Sequence, residues 1–463
     1  MKKLRLTGAA GVALAGLLLA GCGVPGAGST ATDGFDGPRI TERVTVEDVA
    51  KLGNTTLRVL ADAGEEDTLN AAVPLFEKKY PNIKVEVATK GFDDLMKTVV
   101  NSMSGDNAPD LAQGNQGYGT DGPLVKSGLI RPIDDIARTY GWENLITDGT
   151  LKQWRWSAGG SIFGAGSLYG ISPVTEYVGV FYNTDKLAKL GIAPPQTYAE
   201  FTATLDKAKA AGEQPLMLGN AEKYPASQVI GLVQGQKTDS RDVRSWIAGV
   251  PDTTVADPGT TEAARTVQDW AHNGYFGPGY NGISADDAAA KFSQGQGVFY
   301  VAGSWNAPSL QESMNGRVGF TLPTRDDGTR ATVGSMGLGW HIGAKTDKLP
   351  AAVAFLDLLM SDEFAQSIAD VGRTPVTGGD DVKAASPVVE QVNKIGTELL
   401  ADDGQNFYLD WASTTMYDTV GAKTQDLLDR RTSPEGFVNG LQDDWTAFQK
   451  QQREEAAAAE DAS

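Results

Sequence analysis

From residue 56 to residue 360, short runs of β-branched and aromatic residues alternate with amphipathic stretches. That alternation limits the fold more than any other feature of the chain. A strand repeats its face every two residues and a helix every 3.6, so repeated switching between the two predicts α/β layers with largely parallel sheets. Residues 56–60 read as a first strand, and 67–80 carry Leu69, Val73, Leu75 and Phe76 at helical spacing. Pro81 and Asn82 break that helix before an alternating strand at 83–87. A helix at 92–103 and a short strand at 110–112 follow, the strand opening into a glycine-rich loop at 113–122. Further strands are predicted at 178–182, 298–301 and 338–342. Helices are predicted at 198–211 and 350–360, the latter with Val353, Ala354, Phe355 and Leu358 inward.

The N-terminus sets the compartment. Lys2, Lys3 and Arg5 precede a small apolar run from Ala9 to Ala20, too short to span a bilayer comfortably. This is the layout of a secretory signal over residues 1–21. The run ends in Leu19-Ala20-Gly21-Cys22, which looks like a bacterial lipobox with Cys22 as the lipidated first residue of the mature chain. An ordinary signal peptide with an incidental cysteine is the plainer reading. Against it, Cys22 is the only cysteine in 463 residues and stands at the required boundary. A single cysteine leaves no internal disulfide, so stability has to come from a core. Residues 22–54 are rich in small and polar residues and read as a lipid-anchored flexible tether; 451–463 form a polar tail, a fraying helix or disordered. No later run resembles a transmembrane helix, so the expected body is soluble and held by acyl chains at the outer face of the cytoplasmic membrane.

The formal net charge is −19. Loss of Lys2, Lys3 and Arg5 with the signal leaves 37 basic against 59 acidic residues, near −22. Such a surface repels phosphate backbones, which excludes nucleic acid as a partner.

Several tracts, in order, are similar to the bacterial extracellular solute-binding proteins of the maltose-binding type, which serve ABC importers. They are Phe76-Glu77-Lys78-Lys79-Tyr80-Pro81-Asn82-Ile83, Ala108-Pro109-Asp110-Leu111 and Ser127-Gly128-Leu129-Ile130-Arg131-Pro132. Tyr169-Gly170-Ile171, Val180-Phe181-Tyr182-Asn183-Thr184-Asp185 and Gly191-Ile192-Ala193-Pro194-Pro195 form the most specific group. Gly303-Ser304-Trp305 and Gly372-Arg373-Thr374-Pro375 complete the set. The resemblance implies a type II, two-lobed α/β fold, each lobe a mixed, mostly parallel sheet flanked by helices, with the solute between the lobes. It places lobe one at 55–175 plus 335–375 and lobe two at 176–334 plus 376–450. It also implies hinge closure on the ligand, delivery to membrane permease subunits, and no cofactor. We expect a monomer.

A sugar offers ring faces and a belt of hydroxyls, so its site needs flat aromatics beside Asp, Glu, Asn, Gln or Arg. Trp305 follows a strand among small neighbours, where the family pattern places a ligand-stacking tryptophan; packing beneath the sheet is the alternative. Trp411, with Asp410 beside it, matches another cleft aromatic, against a helix start at which Asp410 or Ser413 caps. Glu176 corresponds to a carboxylate that reaches ligand, against a solvated loop acid. Asn220, Glu222 and Tyr224 lie in a tract similar to the lobe-two loop that supplies an acid and an aromatic. Lesser candidates are Asp62 and Glu65 after the first strand, Asn115 and Gln116, Trp340 (at a spacing more usual for core), and Arg373. Arg373 could fork two hydroxyls or pair a structural acid. The loop at 113–115 lacks the aromatic common in the family until Tyr118, which argues against a maltooligosaccharide.

Two other classes compete. An exported glycan-active hydrolase needs two carboxylates about one bond, and no recognisable acid–base tract is present. His272 and His341 are the only histidines, which leaves a Ser-His-Asp or zinc site poorly supported. A binder of peptide, metal or polyamine on the same fold is the other class; the acidic balance suits a polyamine, but surface charge is not cleft charge.

Overall fold

The computed structural model describes residues 35–462; Cys22, the signal segment and residues 22–34 of the tether lie outside them, as does Ser463. The predicted elements are present, most lengthened by a few residues. Thr55–Asp62 is the first strand, Glu66–Lys79 the first long helix and Ile83–Lys90 the next strand. Helix Tyr198–Ala210 starts at a capping box in which Thr197 and Glu200 satisfy each other's backbone N–H groups.

Two sheets organise the body. A four-stranded sheet runs Gly339–Ile342, Leu111–Gly114, Thr55–Asp62, Ile83–Lys90. Its pairs are parallel except for the antiparallel Gly339–Ile342 edge. The expected mostly parallel character stops there. In the larger sheet, strand Val174–Asn183 pairs antiparallel with Thr332–Met336, Phe299–Gly303, Val318–Thr321 and Thr374–Pro375. Parallel pairing survives only where short strands flank that group. Periodicity marks a strand but carries no information on partner direction, so the sequence alone could not separate the two arrangements.

Three adjacent strands connect the sheets. Val174 packs in the core of the first sheet and Tyr177 in that of the second; Val333 and Met336 divide the same way, and Thr374–Pro375 pairs beside them. Here the chain passes between two cores. A seam of aromatic rings adds a second link: Tyr118, Trp156 and Phe163, from the first part of the chain, meet Phe407, Trp411 and Phe448 from the last.

Three local expectations change. The tether expected to reach residue 54 ends sooner. The Ile40 N–H donates to Asp135, the Val44 N–H to Tyr140, and Val49 of helix Val46–Ala50 is fully buried. Apolar residues in an otherwise polar stretch found a surface to cover. Leu75 is exposed, and Thr68, Leu69, Ala72 and Phe76 form the inward face instead. Leu358 is only half-buried, in a helix otherwise buried nearly all round. Among the described residues no helix is long and apolar enough to cross a membrane.

Candidate ligand-binding site

A cavity of about 640 Å³ opens between the segments that belong to the two sheets. Strand ends, the loops that follow them and helix termini line much of it, joined by the ladder-paired Glu176 and Met336 of the crossing strands. Ten of the thirteen residues singled out from the sequence meet here: Asp62, Glu65, Asn115, Gln116, Glu176, Tyr224, Trp305, Arg373, Asp410 and Trp411.

Trp305 sits in a 3-10 turn just after strand Phe299–Gly303 and is 38% exposed. Its indole lies over Gly303, where a Cβ would collide with the ring. Absence of that one carbon is what lets the ring take this place beside the cavity. Trp411 is different, at 2% exposed, and stacks into the aromatic seam against Phe407. Its Nε1 donates to Asn115 Oδ1 at 3.2 Å, and Asn115 Nδ2 donates to Asp410 at 3.4 Å. One amide thus positions both neighbours. Gly117 has a φ of +83° and leaves room for the Trp411 backbone, so the loop closes only with glycine there.

Arg373 is the electrostatic hub. It forms ion pairs with Glu65 (2.6 Å) and with Glu176, and donates to the Gly64 carbonyl. Glu65 is held from behind by Gln113, whose side-chain oxygen also accepts from the Asp62 N–H. Burial pushes the Asp62 carboxyl up against the opposing Gly64 N–H, and Glu65 adds to the rise. Burial also raises Glu176, with Arg373 opposing and Glu65 and Asp62 reinforcing. Asp410 is pushed up to about 6 by burial, opposed by its own backbone N–H and by Asn115.

A pH dependence follows. An Asp whose folded value is about 6 and whose unfolded value is 3.8 binds its proton more tightly when folded. The charged form therefore destabilises the ligand-free fold above pH 6, and the penalty fades as pH falls towards 4. Asp410→Asn is expected to raise stability at pH 7 by about 1–3 kcal/mol, with the gap to wild type closing by pH 4. Urea unfolding of both proteins from pH 4 to 7.5 checks this; a pH-independent gap would remove the explanation.

Three candidates lie elsewhere, each occupied structurally. Asn220 is buried, donating to Asn281 and accepting from the Ala226 N–H, so it caps helix Tyr224–Gly235. Glu222 accepts from the Ala285 N–H at the start of helix Ala285–Ser293. Trp340, 1% exposed, is core in strand Gly339–Ile342, which pairs with Leu111–Gly114. Conversely, Phe92, Ser227, Gln228, Tyr408 and Tyr417 line the cavity and were not singled out. Ser227 and Gln228 stand three and four residues beyond Tyr224 on one helix face, a spacing that would have found them. Phe92 meets Tyr224 edge to face at 6.0 Å, and Tyr417 donates to Asp93 across the same edge. Only the fold brings those pairs together.

The chain resembles known proteins along most of its length. It is 25% identical over 216 residues to the multiple sugar-binding protein of Streptococcus mutans, covering 45% of this chain and 51% of that one. It is 25% identical over 249 residues to an ABC transporter extracellular-binding protein of Pyrococcus horikoshii, covering 52% and 53%. The chain thus spans about half the length of these curated relatives. A solved chitin oligosaccharide binding protein superposes with a TM-score of 0.71 at 18% identity, over 85% of this chain and 99% of that one. That likeness shows the two-lobed, type II solute-binding fold, with the cavity between the lobes. A profile of the bacterial extracellular solute-binding proteins matches residues 71–379, two thirds of the chain, and the chain belongs to that family.

Proposed function

We propose that this protein captures a small carbohydrate outside the cell and passes it, chemically unchanged, to the permease subunits of an ABC importer. The observation that carries the reading is the exposed Trp305 indole at a cavity whose polar lining is rich in hydroxyl-bond acceptors: Asp62, Asn115, Gln116 and Asp410. A ring face takes the C–H side of a sugar, and the acceptors take its hydroxyls. The curated relatives support the class, one described as sugar-binding and one as part of an ABC transporter. The jaws are 55–175 with 335–375 and 176–334 with 376–450, closing about the three crossing strands. Cys22 carries the lipid that holds a monomer at the outer face of the cytoplasmic membrane.

The test is a thermal-shift screen of the mature protein against mono- and disaccharides, followed by chromatography of the released ligand. A sugar at 100 times its Kd stabilises the folded state by about 2.7 kcal/mol, a shift of several degrees. Intact sugar should be recovered. Cleaved product would make the chain a hydrolase, and the absence of a shift with any sugar would overturn the carbohydrate reading.

A further inference from the structure

The cleft carries far more negative than positive charge. Seven carboxylates line it against one guanidinium, that of Arg373, and no lysine or histidine among the described residues joins them. Arg373 is already shared between Glu65 and Glu176. Among the described residues neither Asp62 nor Asp410 is ion-paired, and the Asp62 Oδ2 is buried without a hydrogen-bond partner. The same cavity receives Gln228, 7% exposed, whose amide has no hydrogen-bond partner among the described residues. The rings of Trp305, Tyr224 and Tyr408 stand among these groups, and ring faces attract cations.

A neutral sugar can donate hydroxyls to the carboxylates, but it leaves their excess charge uncompensated when the jaws exclude water. A ligand bearing an ammonium group offsets that charge and adds charge-assisted hydrogen bonds. The positive charge has to arrive with the ligand, because no three His, Cys, Asp or Glu side chains among the described residues converge to hold a metal ion. We infer that the solute is an amino sugar, a mono- or oligosaccharide with at least one free protonated amine, an inference that rests on the carbohydrate reading above. The amine sits between Asp62 and Asp410, and Gln228 receives a neighbouring hydroxyl.

Matched ligands test this. Calorimetry at pH 7.5 compares glucosamine with N-acetylglucosamine and glucose, the galactose counterparts, and the chitosan disaccharide with its fully acetylated form. The amine should bind about tenfold or more tighter than its acetylated partner, the range for a hydrogen bond to a charged group. Raising the salt concentration should narrow that ratio. In Asp62→Asn and Asp410→Asn, each checked for folding by its melting curve, the ratio should fall towards one. A neutral or acetylated sugar binding as tightly as its amine overturns the inference and leaves the carbohydrate reading standing. Binding of putrescine or spermidine with no sugar bound overturns both. Binding by none of these ligands at millimolar concentration overturns the inference as well.

Discussion

Replacement of Arg373 by methionine is expected to lower the unfolding free energy of the ligand-free protein by about 3–5 kcal/mol, the usual cost of stripping one partner from a buried ion pair. The guanidinium side chain is 10% exposed, and its partners Glu65 and Glu176 are 5% and 15% exposed. Methionine keeps most of the volume but leaves two carboxylates facing each other with nothing between them. Part of the loss should return when Glu65→Gln and Glu176→Gln are added, because the repulsion then disappears. Urea unfolding at pH 7.5 measures each step. A loss below about 1 kcal/mol for the single variant would mean that the triad is loosely hydrated and is not the electrostatic hub described above. The same variant should weaken sugar binding, since Arg373 holds two lining acids in place.

The second large effect separates two tryptophans that the sequence treated alike. Trp305→Ala is expected to weaken carbohydrate binding about 30- to 150-fold, corresponding to about 2–3 kcal/mol for an aromatic anchor. Its melting temperature should barely move, because an indole already 38% exposed contributes little core. Trp411→Ala should do the reverse in proportion. At 2% exposed and packed against Phe163, Phe407 and Tyr408, its removal opens a large hole and costs about 3–5 kcal/mol of stability. Binding also weakens there, through the freed Asn115 amide. Calorimetric titration and thermal unfolding of both variants decide the matter. Unchanged affinity in Trp305→Ala would remove the stacking role and with it the main support for a sugar ligand.

Trp305 and Trp340 differ in their surroundings in a way that their local sequences do not record. Both follow glycine and small residues near a strand, and both suit either core or cleft. Trp340 sits inside a strand paired on one side with Leu111–Gly114 and bridged on the other to Ile171, and its indole is buried in the core. Trp305 comes two residues after its strand ends at Gly303, in a turn where that glycine leaves room for the ring. Asn220 and Glu222 show the same limit. Their chemistry suits a sugar, but nearby helix ends needed caps, and the local demand won. Cleft charge was equally hidden. The chain-wide acidic excess was plain in the composition, yet composition could not place Asp62 and Asp410 in one cavity with a single arginine.

From sequence alone came the order and type of the elements, the α/β class and most of the candidate residues that meet at the cavity. Periodicity, breakers and caps act over a few residues and are written locally, as at Pro81 and at the Thr197–Glu200 box. Tertiary structure decided the rest: strand direction in the larger sheet, the docking of residues 40–53, the Glu65–Arg373–Glu176 triad, and which aromatics line the cavity. These depend on partners far away in the chain, 308 residues apart for Glu65 and Arg373. Burial and pairing are set by what folds against a residue, and a local pattern holds no record of that.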